Sequence, residues 1–331
     1  MSKKCFGCGA ILQTNDTKKN GYIPKEKIND ANYCERCFKI THYNEKLIVP
    51  LKGINDYIIS EVNSNKIHSF FLIDFLNINN ETINTYKTIK TPKTLVISKL
   101  DIIPKSIKKS LITEWIKSEY NIDENIIFIS TKKNINTKSI YKILEEQNLK
   151  ESYILGYTNA GKSTLINKLS IDNNLTNNVI TTSLIPNTTL DFIYIKLNDK
   201  LTIIDSPGFT LDKNLYNDNE IDLINRLNPK NFLKPRTYQT KENTSLIIEN
   251  KIKIKPNNIN SFTFYVSNNI NIEKVFEKNT FLQEKPFNTI EIPENSDLVI
   301  KGIGFINIKK ACKLEIHTDY IDLIEIRNSM F

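Results

Sequence analysis

The stretch Gly156-Tyr157-Thr158-Asn159-Ala160-Gly161-Lys162-Ser163-Thr164 constrains this chain more tightly than any other. It reads G-x-x-x-x-G-K-S, and its flanks are the ones such a loop requires. Before it, Tyr153-Ile154-Leu155 is an apolar run of strand length. After it, Leu165, Ile166 and Leu169 recur at helical spacing. A strand, a glycine-bearing turn and a helix in that order build a phosphate cradle. Glycine lets the backbone point its N–H groups inward around a pyrophosphate, and the helix adds the positive end of its dipole. Lys162 is then expected on the β- and γ-phosphates and the Ser163 hydroxyl on Mg²⁺. Gly156, Asn159, Ala160, Gly161 and Thr164 complete the loop.

Around this unit the chain alternates between strand-like and helix-like segments. Apolar runs at 69–73, 94–97 and 126–129 end respectively at Asp74, at Ser98-Lys99-Leu100-Asp101 and at Ser130-Thr131-Lys132. Helical spacing recurs at 54–62, 107–116 (with Trp115 on the core face) and 140–144. Such alternation predicts an α/β fold: a parallel sheet covered on both faces, with ligands at the carboxyl ends of its strands. Beyond the phosphate loop and an irregular stretch, 190–197 and 201–204 pair as a hairpin, and the second strand ends Asp205-Ser206-Pro207-Gly208-Phe209.

The two ends of the chain have different textures. Two C-x-x-C pairs, Cys5/Cys8 and Cys34/Cys37, have the spacing of a tetrahedral Cys₄ zinc site. The chain between them is too polar to bury a core without metal. The start Met1-Ser2-Lys3-Lys4-Cys5 leaves no room for a leader, so a cytoplasmic location with reduced thiols is expected, against two disulfides. From about residue 225, short β-rich runs at 245–248, 261–266, 289–292, 298–300, 305–308 and 323–326 are punctuated by prolines. The lone Cys312 reads as a small buried hydrophobe. The expected division is 1–46, a zinc module; 47–225, the nucleotide domain; and 226–331, a mostly β domain.

Charge follows the same division. Residues 1–150 carry 24 basic and 16 acidic side chains, 151–225 carry 5 and 9, and 226–331 carry 16 and 12. Basic flanks around an acidic centre suit a polyanion held at the flanks. Lys18, Lys19, Lys25, Lys27, Arg36 and Lys39 on one side and Lys251, Lys253, Lys255, Lys309 and Lys310 on the other are the candidate RNA contacts. No apolar stretch reaches membrane-spanning length, and neither a membrane nor DNA is an expected partner.

A guanine-nucleotide site needs five pieces, and each has a candidate. They are the base reader Ser98-Lys99-Leu100-Asp101, the loop Ser130-Thr131-Lys132, the phosphate loop, a switch threonine for Mg²⁺ at Thr189, and Asp205-Ser206-Pro207-Gly208 to sense the γ-phosphate. Their order is rotated. In this order, and in the cysteine pairs with His42-Tyr43-Asn44-Glu45, the chain resembles the YqeH-type circularly permuted ribosome-biogenesis GTPases. Pro186-Asn187-Thr188-Thr189-Leu190-Asp191, Lys234-Pro235-Arg236-Thr237-Tyr238 and 297–304 extend the resemblance over nearly the whole chain. It implies a circularly permuted Ras-like P-loop GTPase domain between a Cys₄ zinc module and a β-rich region. It also implies GTP/GDP, Mg²⁺ and Zn²⁺ as cofactors, and action on the small ribosomal subunit precursor and its rRNA. In that family and its relatives the position of Asn159 helps to hold a potassium ion beside the phosphates.

Departures from the pattern set further expectations. Ser98 stands where the base reader normally has Asn, and is expected to be too short to reproduce the Asn contacts to the base and the phosphate loop. Asp101 can still accept from the guanine N1–H and exocyclic amine, so guanine preference is expected with weaker binding. Thr131 stands where Ala is usual. Phe209 occupies the position at which Ras-like switches place the water-orienting glutamine, so hydrolysis is expected to be slow and to be stimulated by potassium and ribosomal particles. The competing readings are a hydrolysis-deficient GTPase-like RNA-binding scaffold and an ATP-dependent small-molecule kinase. The β region is expected to be dispensable for nucleotide binding.

Overall fold

The apolar runs at 69–73, 94–97 and 153–155 become neighbouring strands at the centre of one sheet. The computed structural model describes residues 3, 5, 11–16, 21–28, 31–35, 53–173, 192–211, 213, 215, 220–276 and 287–331. From α1 (Ile54–Ser64) the chain runs through β1 (His68–Asp74), α2 (Asn80–Thr88), β2 (Lys93–Ser98), α3 (Lys109–Tyr120), β3 (Ile126–Phe128) and α4 (Lys138–Glu146). It continues through β4 (Glu151–Gly156), α5 (Lys162–Asp172), β5 (Ile193–Asn198) and β6 (Leu201–Asp205). The sheet order is β3-β2-β1-β4-β6-β5, parallel except for the β5–β6 hairpin. Every residue of β1 is buried, as a strand covered on both faces must be. β5 alternates between buried and open positions, as an edge strand does.

The chain forms two compact units. The first comprises Met1–Asp74, Glu81–Leu100 and Glu124–Leu211; the second comprises Phe75–Asn80, Asp101–Asp123 and Asp212–Phe331. In the first, Phe70, Leu72, Val96, Ile154, Ile166, Leu169 and Ile203 share one core on the parallel sheet. At about 25 cal/mol per Å² of apolar area, each such side chain contributes roughly 1.5–3 kcal/mol on burial. Aromatic packing adds a second cluster, with Phe209 stacked on Phe71 at 5.4 Å between centroids and Tyr86 edge-on to Phe71.

Among the described residues the second unit adds α6 (Ile221–Leu227) and ten antiparallel strands: β7 (Arg236–Thr240), β8 (Thr244–Ile248), β9 (Ile252–Pro256), β10 (Asn260–Val266), β11 (Ile272–Phe276), β12 (Phe287–Ile292), β13 (Ser296–Ile300), β14 (Gly304–Ile308), β15 (Cys312–His317) and β16 (Ile324–Asn328). They form two five-stranded sheets, β16-β13-β14-β10-β7 and β11-β8-β9-β15-β12. Strict alternation of burial along β10 turns Phe262, Phe264 and Val266 into a core shared with Leu246, Ile254, Leu314 and Ile316 of the other sheet. Cys312 lies buried in β15 opposite Ile292, as a small apolar side chain.

Two surface expectations change. Lys253 is buried, and Lys251 is engaged by Glu220 at 2.8 Å and lies over the Tyr320 ring, so neither is an open RNA contact. Lys309 and Lys310 are exposed. Among the described residues no helix is long and apolar enough to cross a membrane.

Candidate nucleotide site

β4 enters the loop between β1 and β6, and its last residue has no alternative to glycine. Gly156 has φ +148°, and a Cβ there would lie 2.4 Å from the Leu72 carbonyl oxygen of β1. Two further left-handed residues shape the turn: Asn159 at φ +64° and Gly161 at φ +93°, the residue that caps α5. Asn is among the few non-glycine residues that tolerate this region. Lys162 then starts α5 with its side chain buried, while Ser163 and Thr164 follow in the first turn.

The Asp205–Phe209 segment is stitched alongside this loop. Ser206 donates from its N–H and its hydroxyl to the Ile154 carbonyl, at 3.4 and 3.1 Å. Phe209 N–H donates to Gly156 O at 3.1 Å, and Thr158 N–H donates to Phe209 O at 2.9 Å. Gly208 is tight against the same loop: a Cβ would come within 2.9 Å of Thr158 Cγ2 and 3.4 Å of Lys162 Nζ. Phe209 is fully buried against Phe71 and Tyr157, and the Tyr157 hydroxyl meets Thr85 Oγ1 at 2.7 Å. Phe209 therefore fastens the switch and aims at no water. One residue on, the Asn55 side chain of α1 brackets the Thr210 peptide, donating to its oxygen at 2.9 Å and accepting from its N–H at 3.0 Å.

Asp205 is the electrostatic centre. It is 1% exposed, and neither carboxylate oxygen has a hydrogen-bond partner. Burial pushes its carboxyl up to about 6, against the lowering effect of Lys162. Burial likewise pushes the Lys162 ammonium below the ordinary lysine range, with Asp205 opposing. Leaving a buried carboxylate unsatisfied costs a folded protein free energy, on the order of 1–3 kcal/mol or more. Two orphaned oxygens beside a phosphate loop fit a hydrated divalent cation.

In the first unit, the Ser98 hydroxyl of the base-reading motif donates to Ala160 O of the phosphate loop at 2.6 Å. This corrects the expectation that Ser98 would be too short to reproduce a contact to that loop. Lys99 sits at φ +56°, a strained position for a non-glycine residue, and its ammonium lies 3.5 Å from Asp74 Oδ2. Asp74 is the partner that sequence reasoning missed; its only signal was a charged residue closing a fully buried strand. Leu100 N–H donates to Ile129 O, and Ser130 closes a tight turn with Ile135 through both backbone groups. The Ser130 hydroxyl accepts from Lys133 N–H at 3.0 Å, while Thr131 is half-buried and Lys132 is exposed. Asp101, buried, belongs to the second unit.

At the N-terminus, Cys5 and Cys34 are both buried beside Leu12 and Ile23. Cys34 N–H donates to Cys5 Sγ at 3.1 Å, so one cysteine of each C-x-x-C pair meets the other. An N–H on sulfur favours the thiolate that a metal requires. Cys8, Cys37 and the switch Thr189 lie outside the described residues, among which no group of three metal-ligating side chains occurs.

Comparison with known proteins extends the geometry. Residues 58–212 match the family described as RsgA GTPase, and residues 151–278 match the family described as 50S ribosome-binding GTPase. The chain is 29% identical to the uncharacterized protein YqeH of Bacillus subtilis (strain 168), over 93% of each chain. It is 26% identical to GTPase Der of Karelsulcia muelleri (strain GWSS), over 89% of this chain and 66% of that one. It is 24% identical to NO-associated protein 1, chloroplastic/mitochondrial, of Arabidopsis thaliana, over 79% of this chain and 52% of that one.

Proposed function

We propose that this chain, a YqeH-type circularly permuted GTPase, is a GTP-hydrolysing switch that acts on the precursor of the small ribosomal subunit and contacts its rRNA. The observation that carries the reading is Asp205, a buried carboxylate with two orphaned oxygens near Lys162 in a segment stitched to the phosphate loop. In this reading the loop N–H groups and Lys162 bind the phosphates, while Ser163, Thr189 and Asp205 hold Mg²⁺, directly or through its water. Mg²⁺, when bound, neutralises charge that develops on the β- and γ-phosphates. Gly208 lets the γ-phosphate approach, and Asp101 selects guanine.

Loss of the γ-phosphate would release the contacts that hold Asp205 and Gly208, and the chain leads directly from them into the second unit. Asn159 is proposed to help hold a potassium ion beside the phosphates, where the positive charge would assist hydrolysis. Cys5, Cys8, Cys34 and Cys37 are proposed to hold one zinc ion, and the contact between Cys5 and Cys34 supports that set. Ser98 was the one support of the scaffold reading, and its hydrogen bond to the phosphate loop supports a working nucleotide site instead.

The test is co-sedimentation with ribosomal particles, loaded with GDP or a non-hydrolysable GTP analogue. Nucleotide-dependent binding to 30S particles is expected. Binding confined to 50S particles would move the proposal to the large subunit. Turnover that is equal in potassium and sodium salts would remove the role of Asn159. Elemental analysis finding no zinc in the intact protein would remove the metal module.

A further inference from the structure

Residues 101–123 pack as one body with the β strands, although the chain order puts them between β2 and β3. The first tie is immediate: Leu233 N–H donates to Ile102 O at 2.9 Å, one residue beyond Asp101. Three residues later, the Lys105 ammonium lies 5.3 Å from the centre of the Phe232 ring. α3 makes the rest. Trp115 Nε1–H donates to Asn328 O at 3.2 Å, and Glu119 accepts from the Asn328 backbone and side-chain N–H groups at 3.1 and 2.8 Å.

Arg327 knots this arrangement. Its guanidinium is sandwiched between Trp115 and Phe305, at 4.5 and 4.7 Å from the ring centres, and donates to Asp297 and to Ile78 O. Ile78 belongs to the segment that leaves β1, whose Asn77 side chain also accepts from Gly302 N–H at 3.0 Å. One buried arginine thus ties both segments that leave the carboxyl ends of β1 and β2. Carboxyl ends of parallel strands are where such folds place their binding residues.

We infer that the β13–β14–β16 sheet is the support of the base reader, with Trp115, Glu119 and Arg327 as positioning residues that fix Asp101. This deepens the proposed function and rests on Asp101 being the guanine acceptor. The two oxygens of a carboxylate meet the two guanine donors only if its backbone is held, and each hydrogen bond lost to misplacement costs about a five- to ten-fold change in affinity. The inference reverses the expectation that nucleotide binding is indifferent to residues 226–331.

The experiment measures GDP, IDP and ADP affinity in the full-length protein and in Trp115→Ala and Glu119→Ala. Inosine lacks the exocyclic amine, so the GDP/IDP ratio reports how well Asp101 is placed, while ADP reports the phosphate contacts. Trp115→Ala is expected to lower GDP affinity about ten-fold and pull the GDP/IDP ratio towards one, with ADP unchanged. Glu119→Ala, at a solvent-facing pair, is expected to have the same effect about two- to three-fold with little change in thermal midpoint, and it decides the matter if the tryptophan variant does not fold. Faster amide exchange at residues 101–105 should accompany both. An unchanged GDP/IDP ratio in folded variants would overturn the inference. Asp101→Asn in the otherwise unaltered protein should prefer xanthosine diphosphate; failure of that switch would remove the base-reader assignment and this inference with it. A normal switch with an unchanged ratio removes the inference alone.

Discussion

Both units of this molecule bury carboxylates near cations, and two of these, Asp297 and Asp205, are built to opposite ends. Asp297, in the second unit, is saturated: Asn307 donates to Oδ1 at 3.0 Å, while Arg327 and Met330 N–H donate to Oδ2. Burial still pushes its carboxyl up, against Arg327 and these donors. Asp205, in the first unit, is as deeply buried but has no donor at all. A saturated pair holds a fold together, whereas an unsaturated one stores an unmet demand that a ligand can satisfy. The same residue type at similar burial therefore reads as structural in one unit and functional in the other.

The largest expected effect comes from breaking the saturated pair. Asp297→Ala strands the Arg327 guanidinium in the interior and should destabilise the second unit by about 3–5 kcal/mol in urea unfolding. A loss below about 1 kcal/mol would mean that the pair is not structural. Asp205→Asn should do the reverse. Without nucleotide, above pH 6, it should stabilise the first unit by about 3 kcal/mol, the cost of ionising a carboxyl raised from 3.8 to about 6. GTP turnover should meanwhile fall by more than about 100-fold. Loss of stability with turnover retained would invert the comparison.

The pH profile sharpens it further. Asp205 binds more protons folded than unfolded between its ordinary value and about 6, so its contribution to stability falls as pH rises through that window. His68, buried between Ser152 and Thr94, has the opposite sign. Burial lowers it to about 4, so stability falls as pH drops from 6.5 towards 4. The two slopes oppose each other in the nucleotide-free first unit. Asp205→Asn should unmask the His68 slope, with up to about 3 kcal/mol lost between pH 6.5 and 4. Thermal midpoints that fall equally in both proteins would show that Asp205 does not titrate there. The smallest effect belongs to Ser98→Ala, which leaves Ala160 O without its donor. GDP affinity should fall about five-fold, or about 1 kcal/mol, measured by calorimetry.

The first unit was largely legible because its signals are local. β1, β2 and β4 are short apolar runs, and the phosphate loop carries its own flanks. The hairpin, and six of the ten strands of the second unit, follow the same logic. β7, β9, β11 and β15 were missed because charged or polar residues interrupt their apolar ones. In β15, Cys312, Leu314 and Ile316 alternate with Lys313, Glu315 and His317, a half-buried strand whose apolar side is short. Long-range partnerships carried no local mark. Trp115 was expected to face a core, but nothing within α3 names Arg327 as the cation over its ring. Asp74 as the restraint on Lys99, and the donation from Ser98 to Ala160, likewise depend on register between strands.

The sheet order carries a consequence in time. β1 pairs with β2 on one side and with β4 on the other, yet 76 residues separate the end of β1 from the start of β4. At 5–20 residues per second, a ribosome making this chain leaves one edge of a strand with four consecutive large apolar residues, Phe70 to Ile73, uncovered for roughly 4–15 seconds. An open apolar edge is a template for pairing with any other extended chain nearby. The rotated order that brings the base reader ahead of the phosphate loop thus makes the phosphate-loop strand the one that covers the open edge of β1, and substitutions that slow its docking should appear first as lost yield during synthesis, before any loss of activity in the protein that survives.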